Sequence, residues 1–174
     1  MPFPVTRSGD EAHLYLDLHP CSCGSAGTAW ESAPGSVDGE PVARYSGTCP
    51  DCDAEREFLF GLPEREVPAV RFPTFGGPEP SQLLDAGEWM WVADLTAGNV
   101  PADEPREAEQ ALTIATAAVE EVIKFIPPGE DEVPERAFWS DRGRRVRGAE
   151  PSRFVLDRLL VVRNTYRDAA AAIR

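Results

Sequence analysis

The sequence predicts an α+β protein in which metal-stabilised antiparallel β-strands come first and helices follow. Three observations lead to this prediction. Two close pairs of cysteines stand among short strand-like segments near the N-terminus, a stretch rich in proline and glycine comes next, and amphipathic helical patterns fill the rest. We therefore expect a β region over 1–62, a packed connector over 63–80 and an α-helical region over 81–174.

The N-terminal elements are predicted to be strands. Apolar and polar residues alternate over 12–18, which is typical of a half-buried strand. The turn-rich segment over 32–41 indicates a hairpin connection. The segments 42–46 and 57–60 predict two more strands, one on each side of the second cysteine pair. We thus expect strands to alternate with cysteine-containing turns along this part of the chain.

The connector over 63–80 is rich in proline and glycine, but we do not expect it to be a free linker. Apolar side chains recur along it, and a flexible linker would lack them. These residues are Val67, Val70, Phe72 and Phe75. We expect them to anchor the segment across the protein surface.

The C-terminal region contains three helical patterns. Ser81 can cap a helix that begins at Gln82. After Pro105, apolar residues recur at three- and four-residue steps until a Pro-Pro-Gly sequence at 127–129 ends the pattern. A last apolar stripe follows Pro151. We expect an amphipathic helix at each of these places.

The cysteines are the most informative residues in the chain. There are four, and they form the two local pairs Cys21-Ser22-Cys23 and Cys49-Pro50-Asp51-Cys52. Zinc favours four thiolate or imidazole ligands in a tetrahedron, and two tight turns can supply them. In a reducing compartment this arrangement favours metal binding over disulfide formation. We predict that Cys21, Cys23, Cys49 and Cys52 hold one structural Zn²⁺.

The second cysteine pair resembles the knuckle of a zinc ribbon. Cys49 and Cys52 follow Gly47 and lie between strand-like segments. The resemblance covers about residues 12–62, and it implies a structural metal held between hairpins. It implies no particular activity.

The first cysteine pair departs from the ribbon pattern. Only Ser22 separates Cys21 from Cys23, whereas ribbons commonly have two residues between ligands. His19 lies two residues before Cys21 and is an alternative ligand in place of one of these thiols. A second alternative is that Cys21 and Cys23 are small buried hydrophobic side chains and bind no metal.

The overall charge limits the classes of partner. The chain has 17 basic and 30 acidic residues, a formal net charge of −13. This charge disfavours duplex nucleic acid and anionic membranes as partners for most of the surface. No signal-like start and no apolar stretch of spanning length is present in the sequence. We expect a cytoplasmic protein.

No catalytic pattern stands out in the sequence. The two histidines are poorly placed for a nucleophilic triad, because His13 falls on the polar face of a predicted strand and His19 adjoins the cysteines. The glycines at 76–77 are followed by proline and form no phosphate-binding loop. We expect a protein that is not an enzyme, with no catalytic residue assigned.

An arginine-rich run near a tryptophan is the candidate partner-binding segment. Arg142, Arg144, Arg145 and Arg147 lie in a predicted loop, close in sequence to Trp139. The arginines could contact phosphate groups or an acidic partner. The interpretation we favour is a mobile loop whose arginines pair with acidic groups of the same molecule. An exposed Trp139 would indicate a docking site.

These observations favour a non-enzymatic interaction protein that binds a basic protein partner, as inhibitors or immunity proteins of basic toxins do. One alternative is a zinc-ribbon adapter within a transcription or translation complex, in which the arginine-rich run and two later arginines, Arg163 and Arg167, would contact nucleic acid. A second alternative is an enzyme whose site is not recognisable in the sequence.

Overall fold

The computed structural model describes residues 3–65 and 68–173. The chain forms two compact units, Met1–Gly77 and Pro78–Arg174. The first unit contains one helix and a β-sheet, and the second unit is helical. The α+β prediction is confirmed. No helix among the described residues is both long enough and apolar enough to cross a membrane.

The prediction of a strand over 12–18 is wrong, because this segment lies in helix α1 (Gly9–Leu18). Ser8 caps the helix: its side chain accepts a hydrogen bond from the Glu11 N–H at 3.1 Å. Acidic residues in the first turn are also favourable near the positive end of the helix dipole. The leucines at alternating positions mimic a strand, but this local capping selects the helix.

A three-stranded antiparallel sheet follows, in the order β1 (Glu31–Val37), β2 (Glu40–Thr48) and β3 (Glu55–Gly61). The hairpin between β1 and β2 turns at Asp38 and Gly39, which have φ values of 51° and 86°. An Asp-Gly pair with positive φ suits a two-residue hairpin turn. The predicted connection over 32–41 is therefore mostly strand, and only its central pair forms the turn.

Strand β1 is an edge strand and contains Pro34. The pair that closes the hairpin is Val37 and Glu40, so hydrogen-bonded positions alternate from there and Pro34, which faces Ala43, is a non-hydrogen-bonded position. The missing N–H of Pro34 is thus on the open side of the sheet, where a proline is tolerated. The strand forms because β2 pairs along its whole length.

Aromatic rings join α1 to one face of the sheet. The Tyr15 ring makes edge contacts with Phe58 and Phe60, with centroid distances of 6.0 and 5.5 Å. His13 contacts Tyr45 in the same way at 5.5 Å. Edge-to-face packing is a favoured aromatic geometry. These contacts form the core beside the strands that carry the second cysteine pair.

The end of the first unit packs on the N-terminal part of α1. The Thr74 N–H donates to Asp10 Oδ2 at 2.7 Å. Gly76 lies so close to Arg7 that an added Cβ would come within 2.8 Å of the arginine Cβ. Arg7 itself forms a buried ion pair with Glu11 at 2.7 Å. These contacts hold the end of the first unit against α1.

The predicted anchors of the connector have different environments. Phe75 is buried, whereas Val70 and Phe72 are largely exposed. Val67 lies outside the described residues. The segment is therefore anchored near its end rather than along its whole length.

The second unit contains the helices α2 (Ala86–Gly98), α3 (Pro105–Ile123), α4 (Asp141–Ala149) and α5 (Leu156–Ile173). Helix α3 contacts both α2 and α5. Its start at Pro105 is confirmed, and its apolar stripe is buried. Single turns of 3-10 helix precede α4 and α5, at Glu135–Ala137 and Pro151–Phe154.

Three helix predictions in this unit need correction. The first helix begins at Ala86 instead of Gln82, because Asp85 provides the cap and Ser81 closes a separate turn before it. Pro151 opens the short 3-10 turn, and α5 follows it. The arginine-rich run, predicted to be a loop, is helix α4, capped by Ser140.

A buried carboxylate joins the starts of α2 and α4. Asp85 accepts hydrogen bonds from the N–H groups of Glu88 and Ser140, at 2.9 and 2.6 Å. The Glu88 carboxylate in turn accepts a hydrogen bond from the Asp85 N–H at 3.1 Å, which completes a capping box. Gly143 and Gly87 allow the close approach, since a Cβ on Gly143 would overlap Asp85 and one on Gly87 would overlap Gly143.

Candidate metal centre

The first cysteine turn follows directly after α1. The Gly24 N–H donates to the Cys21 carbonyl at 2.7 Å, and the Cys21 N–H donates to the Ser25 carbonyl at 2.8 Å. Gly24 has a φ of 92°, which glycine adopts at low cost. This turn brings Cys21 and Cys23 to the same side although a single residue separates them.

The second cysteine turn connects β2 to β3. The Asp53 N–H donates to the Cys49 carbonyl at 3.0 Å, and the Cys49 N–H donates to the Ala54 carbonyl at 2.9 Å. Asp53 has a φ of 57°, and aspartate is one of the few side chains that tolerate this region. The turn therefore presents Cys49 and Cys52 from the end of the hairpin.

The two turns bring the four thiols into one cluster. The Sγ atoms of Cys21 and Cys52 are 3.6 Å apart, and those of Cys23 and Cys49 are also 3.6 Å apart. All four sulfur atoms lie within 4.8 Å of one another, close enough to share a metal ion. In a tetrahedron with metal–sulfur bonds of about 2.3 Å, sulfur atoms are about 3.8 Å apart. The thiols are free of disulfide bonds.

Backbone hydrogen bonds point toward each sulfur atom in a repeated pattern. Each thiol receives a hydrogen bond from the backbone of the residue two positions further along the chain. The donor residues are Cys23, Ser25, Asp51 and Ala54, for Cys21, Cys23, Cys49 and Cys52 respectively. An N–H donor stabilises a thiolate more than a thiol, so the pattern suits deprotonated ligands.

Because the sulfur atoms are close together, the four thiols have different pKa values. The backbone bond from Asp51 is the largest effect on Cys49 and helps lower the pKa of that thiol to about 6. At Cys52 the bond from Ala54 also lowers the pKa, but bonds with the three neighbouring thiols outweigh it and raise the pKa to about 12. Four adjacent thiolates repel one another, and a cation bound among them would relieve this repulsion.

His19, the alternative ligand, is not a member of this cluster. Its Nδ1 is 2.7 Å from the Tyr15 carbonyl oxygen, and its ring stacks on the Tyr15 ring at a centroid distance of 3.9 Å. The imidazole thus caps the end of α1. The His19 carbonyl accepts a hydrogen bond from Arg56 Nη2 at 2.5 Å.

Arg56 holds the first cysteine turn near the sheet, a role the sequence reasoning missed. Its guanidinium lies 5.0 Å from the Trp30 ring centre and 5.4 Å from that of Phe58, in addition to its bond to His19. Cation–π contacts of this kind orient an arginine without an ionic partner. The only sequence signal for Arg56 was its place among acidic residues that alternate with phenylalanines.

A groove of about 690 Å³ lies at the cysteine end of the sheet. Three carboxylates line it, together with Arg56 and small or polar residues of the strand ends. The three are Glu31, Glu55 and Glu57. Gly47 allows the chain before β1 to approach β2 closely, because a Cβ there would overlap the Ala29 carbonyl.

The strands and the second cysteine turn carry an acidic surface. Residues 31–57 contain seven carboxylates and two arginines, a net charge of −5. All seven carboxylate residues are exposed. Arg44 pairs with Glu57 at 2.8 Å, and Arg56 is held by the contacts described above. The surface beside the thiol cluster is therefore predominantly negative.

Two of the candidate partner-binding arginines pack on aromatic rings of the second unit. The Arg142 guanidinium lies 4.5 Å from the Trp91 ring centre, and that of Arg147 lies 5.2 Å from the ring centre of Phe138. Such contacts stabilise the position of α4. These two side chains have an internal role.

The remaining candidates face solvent. Arg144 and Arg145 are exposed, and Trp139 is 43% exposed. Arg144 donates to the Trp139 carbonyl at 2.6 Å and to Asp141 Oδ1 at 2.9 Å. This part of the arginine-rich run is therefore an outward surface.

The four cysteines form a group that could hold a metal ion, and the candidate partner-binding residues lie in the second unit. No family model matches the chain, and comparisons with curated proteins and with solved structures gave no match.

Proposed function

We propose that the four cysteines bind one structural Zn²⁺ and that the protein acts without catalysis, by binding a basic protein partner. One observation carries this proposal: the thiol cluster fixes a β-hairpin whose surface bears seven exposed carboxylates against two arginines. An inhibitor or an immunity-type protein would use such a surface to cover a basic site.

The donor set supports zinc in a structural role. Four thiolates in a tetrahedral arrangement are typical of zinc or of iron–sulfur chemistry. Backbone bonds to all four sulfur atoms orient them before metal binds. A site with four protein ligands leaves no position for water or substrate, as in structural zinc sites.

Metal analysis tests this part of the proposal. We expect one zinc per chain in protein purified from its own host without added metal, measured by elemental analysis and by mass spectrometry under native conditions. Iron with a sulfur-to-metal absorption band, or metal-free protein with oxidised cysteines, would contradict the zinc assignment.

The acidic surface supports a basic partner. Long-range attraction between opposite charges accelerates association, and a groove lined by three carboxylates can accept an arginine or lysine side chain. The side chains of Glu31 and Glu55 form no hydrogen bond or ion pair with the described part of the chain, so their charges remain available to a partner. Glu57 is shared with Arg44.

Association kinetics test this second part. For a partner that co-purifies from the host, we expect an on-rate that falls steeply with salt, because electrostatic steering is worth about tenfold or more at low ionic strength. The variants Glu31→Gln and Glu55→Gln should lower the on-rate at low salt. Glu130→Gln removes an exposed carboxylate of the second unit and serves as the matched control. Binding that is insensitive to salt and to both variants would contradict the proposal.

A further inference from the structure

The second unit carries a basic island in an acidic molecule. Residues 136–147 contain five arginines and one aspartate, a net charge of +4 in a chain whose total is −13. Two of the five arginines pack on aromatic rings, so the positive charge that faces solvent comes from the other three.

Trp139 is presented to solvent on a fixed backbone. On one side the Phe138 ring is buried and makes an edge contact with Phe154, at a centroid distance of 4.8 Å. On the other side the Ser140 N–H donates to the buried Asp85 at 2.6 Å. The indole itself is 43% exposed and rests against Phe125 at a centroid distance of 5.9 Å. A tryptophan held in this way loses little conformational freedom on binding.

Exposed arginines lie close to this tryptophan in the sequence, and one of them contacts its backbone in the fold. Arg144 is fixed beside it by the bond to its carbonyl. Arg145 lies next to Arg144 on the solvent side of α4, and Arg136 lies three residues before Trp139. Within the described residues, the side chains of Arg136 and Arg145 form no hydrogen bond or ion pair. Their charges are available to a partner, unlike those of the arginines that pack on rings.

We infer that Trp139, Arg136, Arg144 and Arg145 form a docking surface for an acidic protein segment that also carries an apolar side chain. Guanidinium groups bind carboxylates with paired hydrogen bonds, and tryptophan and arginine are the residues most enriched at the centres of protein interfaces. A short acidic segment can match the exposed arginines of this island. An extended nucleic acid would also meet the carboxylates of the remaining molecule. This surface does not depend on the metal site or on the basic partner proposed above.

Peptide binding tests the inference. The probe is a fluorescein-labelled, glutamate-rich peptide with a central phenylalanine, and binding to the full chain is followed by fluorescence anisotropy. We expect Trp139→Ala to weaken binding about tenfold or more. Arg145→Glu should weaken it as well, whereas Arg106→Glu makes the same charge change at an exposed arginine on α3 and should have little effect.

Three results would overturn the inference. A peptide with glutamine in place of glutamate could bind equally well, or both substitutions could leave binding unchanged. Single-stranded DNA could bind more tightly than the peptide at the same salt concentration, which would assign the surface to nucleic acid. Far-UV circular dichroism of each variant separates loss of binding from loss of fold, and Arg145→Glu, at an exposed position, keeps the test valid if Trp139→Ala unfolds.

Discussion

Replacing Cys49 with serine is expected to abolish metal binding and to unfold the first unit. Structural Zn²⁺, which we propose for this cluster, contributes roughly 10–16 kcal/mol of binding free energy in zinc-finger peptides. The whole stability of a domain is only about 5–15 kcal/mol. Cys49 is buried and its turn joins β2 to β3, so a lost ligand removes the link between the hairpin and the first cysteine turn. The strands β2 and β3 should then no longer pair in a fixed register.

Zinc release and NMR spectra measure this effect. A colorimetric chelator should detect no zinc in Cys49→Ser, and the dispersed amide signals of the strands should collapse. Signals of the helices α2 to α5 should remain, because the second unit has its own core. Ser22→Ala changes an exposed residue of the first cysteine turn without removing a thiol and serves as the control. A folded, metal-free Cys49→Ser variant would show that the cluster is not structural.

The second large effect is expected for Asp85→Ala, which should destabilise the second unit by about 2–5 kcal/mol. The substitution leaves the N–H groups of Glu88 and Ser140 without their acceptor. Each unsatisfied buried donor costs about 1–3 kcal/mol, and a lost helix cap costs about 1 kcal/mol. The substitution removes the cap of α2 and loosens the position of α4 together, because the Asp85 side chain stabilises both.

Urea unfolding followed by far-UV circular dichroism measures the loss. Asp103→Ala removes an exposed aspartate ahead of α3 and should change stability by less than about 0.5 kcal/mol. Gly143→Ala provides an independent test of the same junction, since its Cβ would overlap the Asp85 carboxylate. If Asp85→Ala unfolds at the same urea concentration as the parent protein, the junction contributes no stability.

The sequence predicted the features that depend on residues close together in the chain. The start of α3 at Pro105 and the grouping of cysteines in two tight turns both follow from a few adjacent residues. The approach of those turns to one another depends on α1, the sheet and Arg56, which are far apart in sequence. Arg56 was unpredictable because its partners, a carbonyl and two rings, are brought to it by the fold.

The wrong predictions also have physical reasons, because capping and strand pairing outweigh the local residue preferences. Over 12–18 the alternation of leucines suggested a strand, while the cap at Ser8 and the charge of the first turn favoured a helix. Strand β1 was interpreted as a turn because it contains Pro34 and Gly35, and pairing with β2 outweighs their preferences. Helix α4 has two glycines and many charges, so its stability comes from capping and from close packing on α2.

Pro34 limits the ways in which a partner can recognise the acidic sheet. A peptide that adds a strand to an open edge gains affinity from main-chain bonds, which carry little information about its sequence. The edge of β1 lacks a donor at its centre, so such a ladder would be interrupted there. At this edge, recognition is left to side chains on the strand surface and in the groove. For the proposed partner, the pattern of charges rather than the ability to extend the sheet from β1 would then decide whether it is accepted.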